Sequence, residues 1–289
     1  MTRAAGPFGR IVETDGTALK PRAGYQLGRD ANALVVLNRL AFPEYATVRG
    51  RTVVEFRDKT TRALLNWSAA TGLGQHPELL DQVRARREHA IAGLRRRGLT
   101  VTRLRAVPEW RIAVGLGNRA NAHEIGFSLH GTYGWPIIPG STLKGLAASY
   151  ARQELGDDDQ MLADVFGGPR PGQRATRDTS RRAPVAFLDA LPADGPATVA
   201  VDVLTPHVKP YYDAIEKNSP QPPPPAEYHN PVPVHFLTVT GPYLVDVASR
   251  DEAALEFAVD WLTRAGSELG VGAKTAAGYG YLAIEEEPT

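Results

Sequence analysis

The chain has 289 residues, a formal net charge of +1 and 43% hydrophobic residues, which fits one large domain, or a domain with a substantial extension, around a sizeable core. It contains no cysteine, so disulfides, thiolate zinc sites, iron–sulfur clusters and cysteine nucleophiles are excluded and any chemistry rests on oxygen and nitrogen groups. No apolar run approaches the roughly 20 residues that span a bilayer, and residues 1–10 lack the apolar centre of a signal peptide, so a soluble cytoplasmic protein is expected.

Residues 1–106 read as an N-terminal extension, mainly helical and irregular. Helices are expected at 34–40 and 62–70, and Pro77 opens a longer one that carries Leu80, Val83, Ile91 and Leu94 on one face. Arg84, Arg86, Arg87, Arg95, Arg96, Arg97, Arg103 and Arg105 cluster in and after it; Arg170, Arg174, Arg177, Arg181 and Arg182 form a second group. Such segregation builds either a phosphate-tracking surface or a solvated helix face, and charge alone does not choose.

Residues 107–289 carry a sharper pattern. Trp110, Ile112, Val114 and Leu116 alternate with Arg111, Ala113 and Gly115, as a half-buried strand requires. A polar and aromatic loop, 117–138, leads to Pro139-Gly140-Ser141, where Ser141 is the expected N-cap of a helix reaching Gly156. Strands are expected at 185–189 and 198–204, paired as a hairpin across an Ala-Asp-Gly-Pro turn. Residues 205–233, which include Pro222 to Pro225, exclude a central strand or helix interior and read as an excursion from the core. Strands at 234–239 and 243–247 follow, then a helix with Ser249 and Glu252 as a capping box and Leu255, Ala258, Val259 and Leu262 on its apolar face. A glycine-rich loop and a last strand at 279–284 close the chain. This order gives an α+β fold, a ferredoxin-like or RRM-like βαββαβ core with a thumb-like insertion. Helices would cover one sheet face and leave the other open to RNA.

Two loops carry the functional signal. Gly270, Gly272, Gly278 and Gly280 leave Lys274, Thr275 and Tyr279 on a chain otherwise nearly free of side chains. Backbone amides there can converge on a phosphate while Lys274 supplies charge. Glycine content alone also fits a tight turn with no ligand. A Walker-type nucleotide loop is excluded, because Ala273 breaks the Gly-Lys step and this loop runs from helix to strand, the reverse of that motif. The second loop is Pro139-Gly140-Ser141-Thr142-Leu143-Lys144-Gly145, where Ser141 and Lys144 fall in the first turn of a helix whose amides and dipole suit a phosphate.

This pair of loops resembles the RAMP superfamily of CRISPR proteins, and within it the family of the sixth Cmr subunit of type III-B effector complexes. Three intervening segments agree: Gly126 to His130 with Tyr133-Gly134, Asp202 to His207 with Tyr211-Tyr212, and Pro233 to Val239. The resemblance covers about residues 109–284. It implies a non-catalytic RNA-binding subunit that holds CRISPR RNA, helps position single-stranded target RNA for cleavage by another subunit in antiviral defence, and contacts other Cmr subunits, without cofactor, metal or membrane. Gly140, Ser141, Lys144, Gly270, Gly272, Lys274, Thr275, Gly278, Gly280 and His130 are the implied RNA-binding residues; His207, Tyr211 and Tyr212 are implied thumb or subunit contacts. One departure stands out: an arginine often follows the Lys-Gly step in this family, where Ala147, Ala148 and Ser149 occur here.

The related subunit that cuts target RNA uses an aspartate in the loop between first strand and first helix; residues 117–138 contain none, only Glu124 with His123 and His130 nearby. A His–Glu pair is a possible general acid–base unit on a 2′-hydroxyl. Asp202, His207, His229 and His235 match no metal-ligand spacing, and Asp157 to Asp159 read as a solvated helix end. Two alternatives remain open at this point: a RAMP-type endoribonuclease that processes CRISPR RNA without metal, and a scaffold that binds only protein.

Overall fold

The computed structural model describes residues 8–117, 121–157, 159–168, 182–206, 208–224, 226, 231 and 233–287. Asp158, Arg170, Arg174, Arg177, Arg181, His207, Pro225 and His229 lie outside them.

The N-terminal third alternates hairpins with helices. β1 (Ile11–Thr14) pairs with β2 (Leu19–Pro21), α1 (Ala33–Arg39) follows, β3 (Glu44–Val48) pairs with β4 (Arg51–Glu55), and α2 (Asp58–Ala70) and α3 (Pro77–Arg96) complete it. The three helices stand where periodicity puts them. The hairpins are unforeseen, because strands of three to five residues with charged members carry little alternation. α3 is built to start and stop: Pro77 pre-sets its first turn, Glu78 meets the positive dipole end, and Arg95 and Arg96 meet the negative one.

The remaining elements are β5 (Thr100–Pro108), α4 (Gly140–Leu155), α5 (Gln160–Phe166), β6 (Ala186–Phe187), β7 (Leu191–Pro192), β8 (Thr198–Leu204), α6 (Lys209–Glu216), β9 (Val234–Thr240), β10 (Tyr243–Ser249), α7 (Glu252–Glu268) and β11 (Leu282–Glu286). The main sheet is antiparallel with the order β11-β5-β10-β6, and β7 continues along the edge of β10 that β6 begins. β8 and β9 form a separate hairpin, in register from Thr198 opposite Thr240 to Leu204 opposite Val234.

Several expectations are corrected. The first strand of the sheet is not 109–116 but β5; beyond it only Ile112 and Ala113 make isolated bridges, to Val239 and Gly272. β5 escaped notice because it is buried on both faces, with Val101 on one and Leu104 and Ala106 on the other, and because Arg103 and Arg105 sit between them. The hairpin expected between 185–189 and 198–204 does not form. β6 pairs with β10 instead, and β8 with β9, which sets Val199 opposite Val239 and Val201 opposite Leu237. The excursion contains a helix after all: Pro210 falls in the first turn of α6, where its missing N–H costs nothing. Pro139, not Ser141, is the N-cap of α4, and α7 is capped by Asp251, whose carboxylate accepts from the Ala254 amide.

Helices pack on both faces of the main sheet, over most of one and part of the other. α4 and α7 pack together over Leu104, Ala106, Tyr243, Val245 and Val247. On the other side Ile91 and Leu94 of α3 meet Val101 and Ala248. The sheet face expected to be open to RNA is therefore covered by α3 over part of its area, while Val107, Ala283 and Glu285 on the same face stay exposed.

Candidate nucleic-acid interface

The glycine loop joins α7 to β11 and is tied to the segment that follows β5. The Ala273 amide donates to the Ala113 carbonyl at 2.9 Å, Gly280 N to Arg111 O at 2.9 Å, and Val271 N to Gly280 O at 2.8 Å. These close approaches explain two of the glycines. A Cβ on Gly272 would stand 2.6 Å from the Ala113 oxygen, and one on Gly280 would stand 2.3 Å from the Val271 oxygen. Gly278 differs: its φ of +87° needs glycine, but nothing lies within 4 Å.

Lys274 has φ 66°, a left-handed conformation, and the single 3₁₀ turn Thr275–Ala277 follows. A left-handed residue before right-handed ones turns successive amides toward one point, a concavity that suits an anion. Among the described residues, no hydrogen bond engages the N–H groups of Lys274, Thr275 and Ala276. The Lys274 side chain is exposed and forms no ion pair with a described residue.

Tyr279 anchors this loop. Its hydroxyl donates to Asp202 Oδ2 at 3.2 Å, Thr238 Oγ1 donates to the same oxygen at 3.0 Å, and Arg111 pairs with Asp202 Oδ1. Burial, then the Asp202 carboxylate, raise the Tyr279 pKa, which keeps the phenol a donor. Its ring meets Phe236 at 5.5 Å and Trp110 at 4.7 Å. Its members come from four segments, so no local pattern announces this network.

At the start of α4 the glycine has a structural role. A Cβ on Gly140 would stand 2.1 Å from the Phe187 oxygen, and the Gly140 amide donates to Asp189 Oδ1 at 2.8 Å. Asp189 thus occupies the amide that the sequence assigned to a ligand. Ser141 is exposed, its amide has no bond to a described residue, and Lys144 is half-buried without an ion pair among them. α4 and α7 run antiparallel, as Tyr150 donating to Glu268 (3.0 Å) and Arg264 pairing with Glu154 (3.1 Å) show. The first turns of α4 therefore project past the end of α7, on the side where the glycine loop turns back. The two loops share one end of the helical layer.

The first arginine cluster is largely occupied elsewhere. Arg87 and Arg103 both bind Asp246, each at 2.8 Å, and Asp246 is 1% exposed. Arg103 also meets Glu88 at 2.5 Å, Arg84 donates to the Pro192 carbonyl, Arg86 to the Tyr133 hydroxyl, and Arg105 pairs with Asp194. Arg95, Arg96 and Arg97 are exposed at the foot of α3, where Arg95 donates to the Val101 carbonyl at 3.4 Å, beside the opposite end of the sheet from the glycine loop. The cluster is mainly a clasp between α3 and the sheet.

His130 shapes its own loop: Nδ1 accepts from the Thr132 amide at 3.1 Å and the Tyr133 amide at 3.3 Å, and its ring lies 4.8 Å from that of Tyr133. Burial pushes its pKa down. His123 is buried between Phe42 and Phe56, its Nε2 accepts from the Phe42 amide at 3.2 Å, and burial pushes its pKa down to about 4. It secures the N-terminal segment and presents no base to a substrate. Among the described residues no group of His, Asp and Glu is placed to hold a metal; Asp202 belongs to the Tyr279 anchor. Tyr211 and Tyr212 lie on α6 with rings 5.5 Å apart, and Tyr212 is 61% exposed. No residue of α6 is buried, so the helix projects from the body of the molecule.

A profile of the RAMP superfamily matches residues 103–283. The chain is 31% identical over 224 residues to the CRISPR system Cmr subunit Cmr6 of Pyrococcus furiosus, covering 60% of this chain and 64% of that one. It thus spans less than two thirds of that relative's length. Its fold is similar to a chain in the cryo-EM structure of the Type III-B Cmr-beta bound to cognate target RNA, with a TM-score of 0.59 at 20% identity over 79% of this chain and 71% of that one. The crystal structure of Cmr6 from Pyrococcus furiosus aligns with a TM-score of 0.39 at 22% identity, over 65% of this chain and 99% of that one. The profile takes in most of the main sheet, α4, α7 and both loops, and on that match the chain belongs to the RAMP superfamily.

Proposed function

We propose that the chain is a non-catalytic RNA-binding subunit of a type III-B CRISPR effector complex, which holds guide RNA and helps position target RNA for cleavage by another subunit. The observation that carries this is the loop at Lys274: an exposed ammonium beside three amides without bonds to described residues, at the same end of the molecule as Ser141 and Lys144. A phosphodiester backbone matches that arrangement, and it is held without reading sequence. Superfamily membership and the 31% identity to Cmr6 support the placement in such a complex. The strand order β11-β5-β10-β6, with two antiparallel helices on one face, supports a ferredoxin-like core, to which the first hundred or so residues add an extension that covers part of the other face. The hairpin β8–β9 with α6 is the thumb in this assignment, and Tyr212 its most exposed contact. No described helix is long and apolar enough to cross a membrane, in keeping with a cytoplasmic assembly.

Crosslinking guide RNA in a reconstituted complex tests this. Adducts are expected at Lys274 and Lys144, and Glu124→Gln is expected to leave target cleavage at the wild-type rate. Adducts confined to the Arg95 to Arg97 end, or cleavage lost while assembly persists, would refute the assignment.

A further inference from the structure

Four tryptophans occur in the chain, and three are core residues: Trp67, Trp135 and Trp261 are at most 3% exposed, whereas Trp110 is 51% exposed. The alternation of 110–116 places Trp110 with Ile112 and Val114, yet those two are buried and the indole is not. It stands immediately beyond β5, and its surroundings hold it in place. One neighbour is the Tyr279 ring at 4.7 Å, itself fixed by Asp202 and Phe236, and another is the Arg111 guanidinium 5.5 Å from the indole centroid. The Tyr279 amide donates to the Lys274 carbonyl at 3.3 Å, which links the aromatic stack directly to the exposed lysine.

A half-exposed indole on a rigid aromatic support, next to a cation and amides without bonds to described residues, has the chemistry of a stacking platform. Its ordering cost is already met in the fold, and every nucleobase offers it a π-face. We infer that Trp110 stacks on an unpaired base of the strand whose phosphate Lys274 holds, which rests on the RNA-binding assignment above. Because stacking tolerates every base, the contact fixes where the strand sits and reads no sequence.

Indole fluorescence tests this on the full chain, since stacking on a base quenches it, while the three buried tryptophans, which a base does not reach, add a constant background. The probes are a mixed-sequence single-stranded oligoribonucleotide and an abasic oligomer of equal length. The intact strand is expected to quench, and the abasic strand to bind without quenching. Trp110→Ala is expected to weaken the intact strand by roughly 5- to 150-fold and to leave the abasic strand unchanged. Trp110→Phe should abolish the quench while keeping most of the affinity. Salt-dependent binding without a quench would overturn the stacking role, as would an equal loss on both probes, which marks a merely structural residue. A wild-type chain that binds neither strand would instead refute RNA binding itself, and stacking with it.

Discussion

The sheet face under α3 and the end of the sheet at the glycine loop use charge in opposite ways. Under α3, five arginines meet carboxylates, carbonyls and a phenol of the same chain, around a carboxylate that is 1% exposed. At the glycine loop there are one exposed lysine, one half-exposed indole and three amides without bonds to described residues. The richer cluster is mainly structural; the sparser one keeps groups without partners among the described residues. Density of basic residues therefore does not by itself mark a binding surface, because an arginine already paired within the chain offers little to a ligand.

The sharpest way to break the contrast is to remove Asp246. Asp246→Ala leaves the Arg87 and Arg103 guanidinium groups facing one another without their anion, and about 3–5 kcal/mol of stability should be lost in urea denaturation. A loss under 1 kcal/mol would mean that α3 is only loosely laid on the sheet. Within the glycine loop, Gly280→Ala forces a Cβ against the Val271 oxygen at positive φ and should cost about 2–4 kcal/mol. Gly278→Ala meets open space and should cost only about 1 kcal/mol, the conformational penalty alone. Equal costs would remove the distinction between packed and open glycines.

His123 sharpens the comparison through pH. Its pKa falls from the usual imidazole value of 6.5 to about 4 on folding, because burial disfavours the charged ring, so between those values the unfolded chain binds more protons. The stabilisation is complete above about pH 6.5 and is lost as pH drops toward 4. Stability should fall by about 2 kcal/mol from pH 7 to pH 5 through this residue, a slope that His123→Gln flattens. RNA affinity per folded molecule should not follow it, since His123 lies under Phe42 and Phe56 and away from the glycine loop.

Much of this molecule is legible in its sequence. The apolar spacing of Leu80, Val83 and Ile91 finds α3, that of Leu255, Ala258 and Leu262 finds α7, and the glycine loop is visible as composition. What escaped is what depends on distant partners. β5 looks irregular because Arg103 points at Asp246, a residue 143 positions away, where an apolar side chain would otherwise show the alternation. The amide of Gly140 looks free until Asp189 is folded against it. Trp110 looks like a core residue because periodicity reports which face a side chain takes and not whether anything covers it.

The most direct test of the central claim is the salt dependence of single-stranded RNA binding by the full chain, compared across Lys274→Ala, Arg84→Ala and Arg105→Ala. On a single strand each phosphate contact adds about 0.7 to the slope of log affinity against log salt. Lys274→Ala is expected to lower the slope by about 0.7, while Arg84→Ala and Arg105→Ala leave it at the wild-type value. A slope lowered by the two arginine substitutions and unchanged by Lys274→Ala would contradict it.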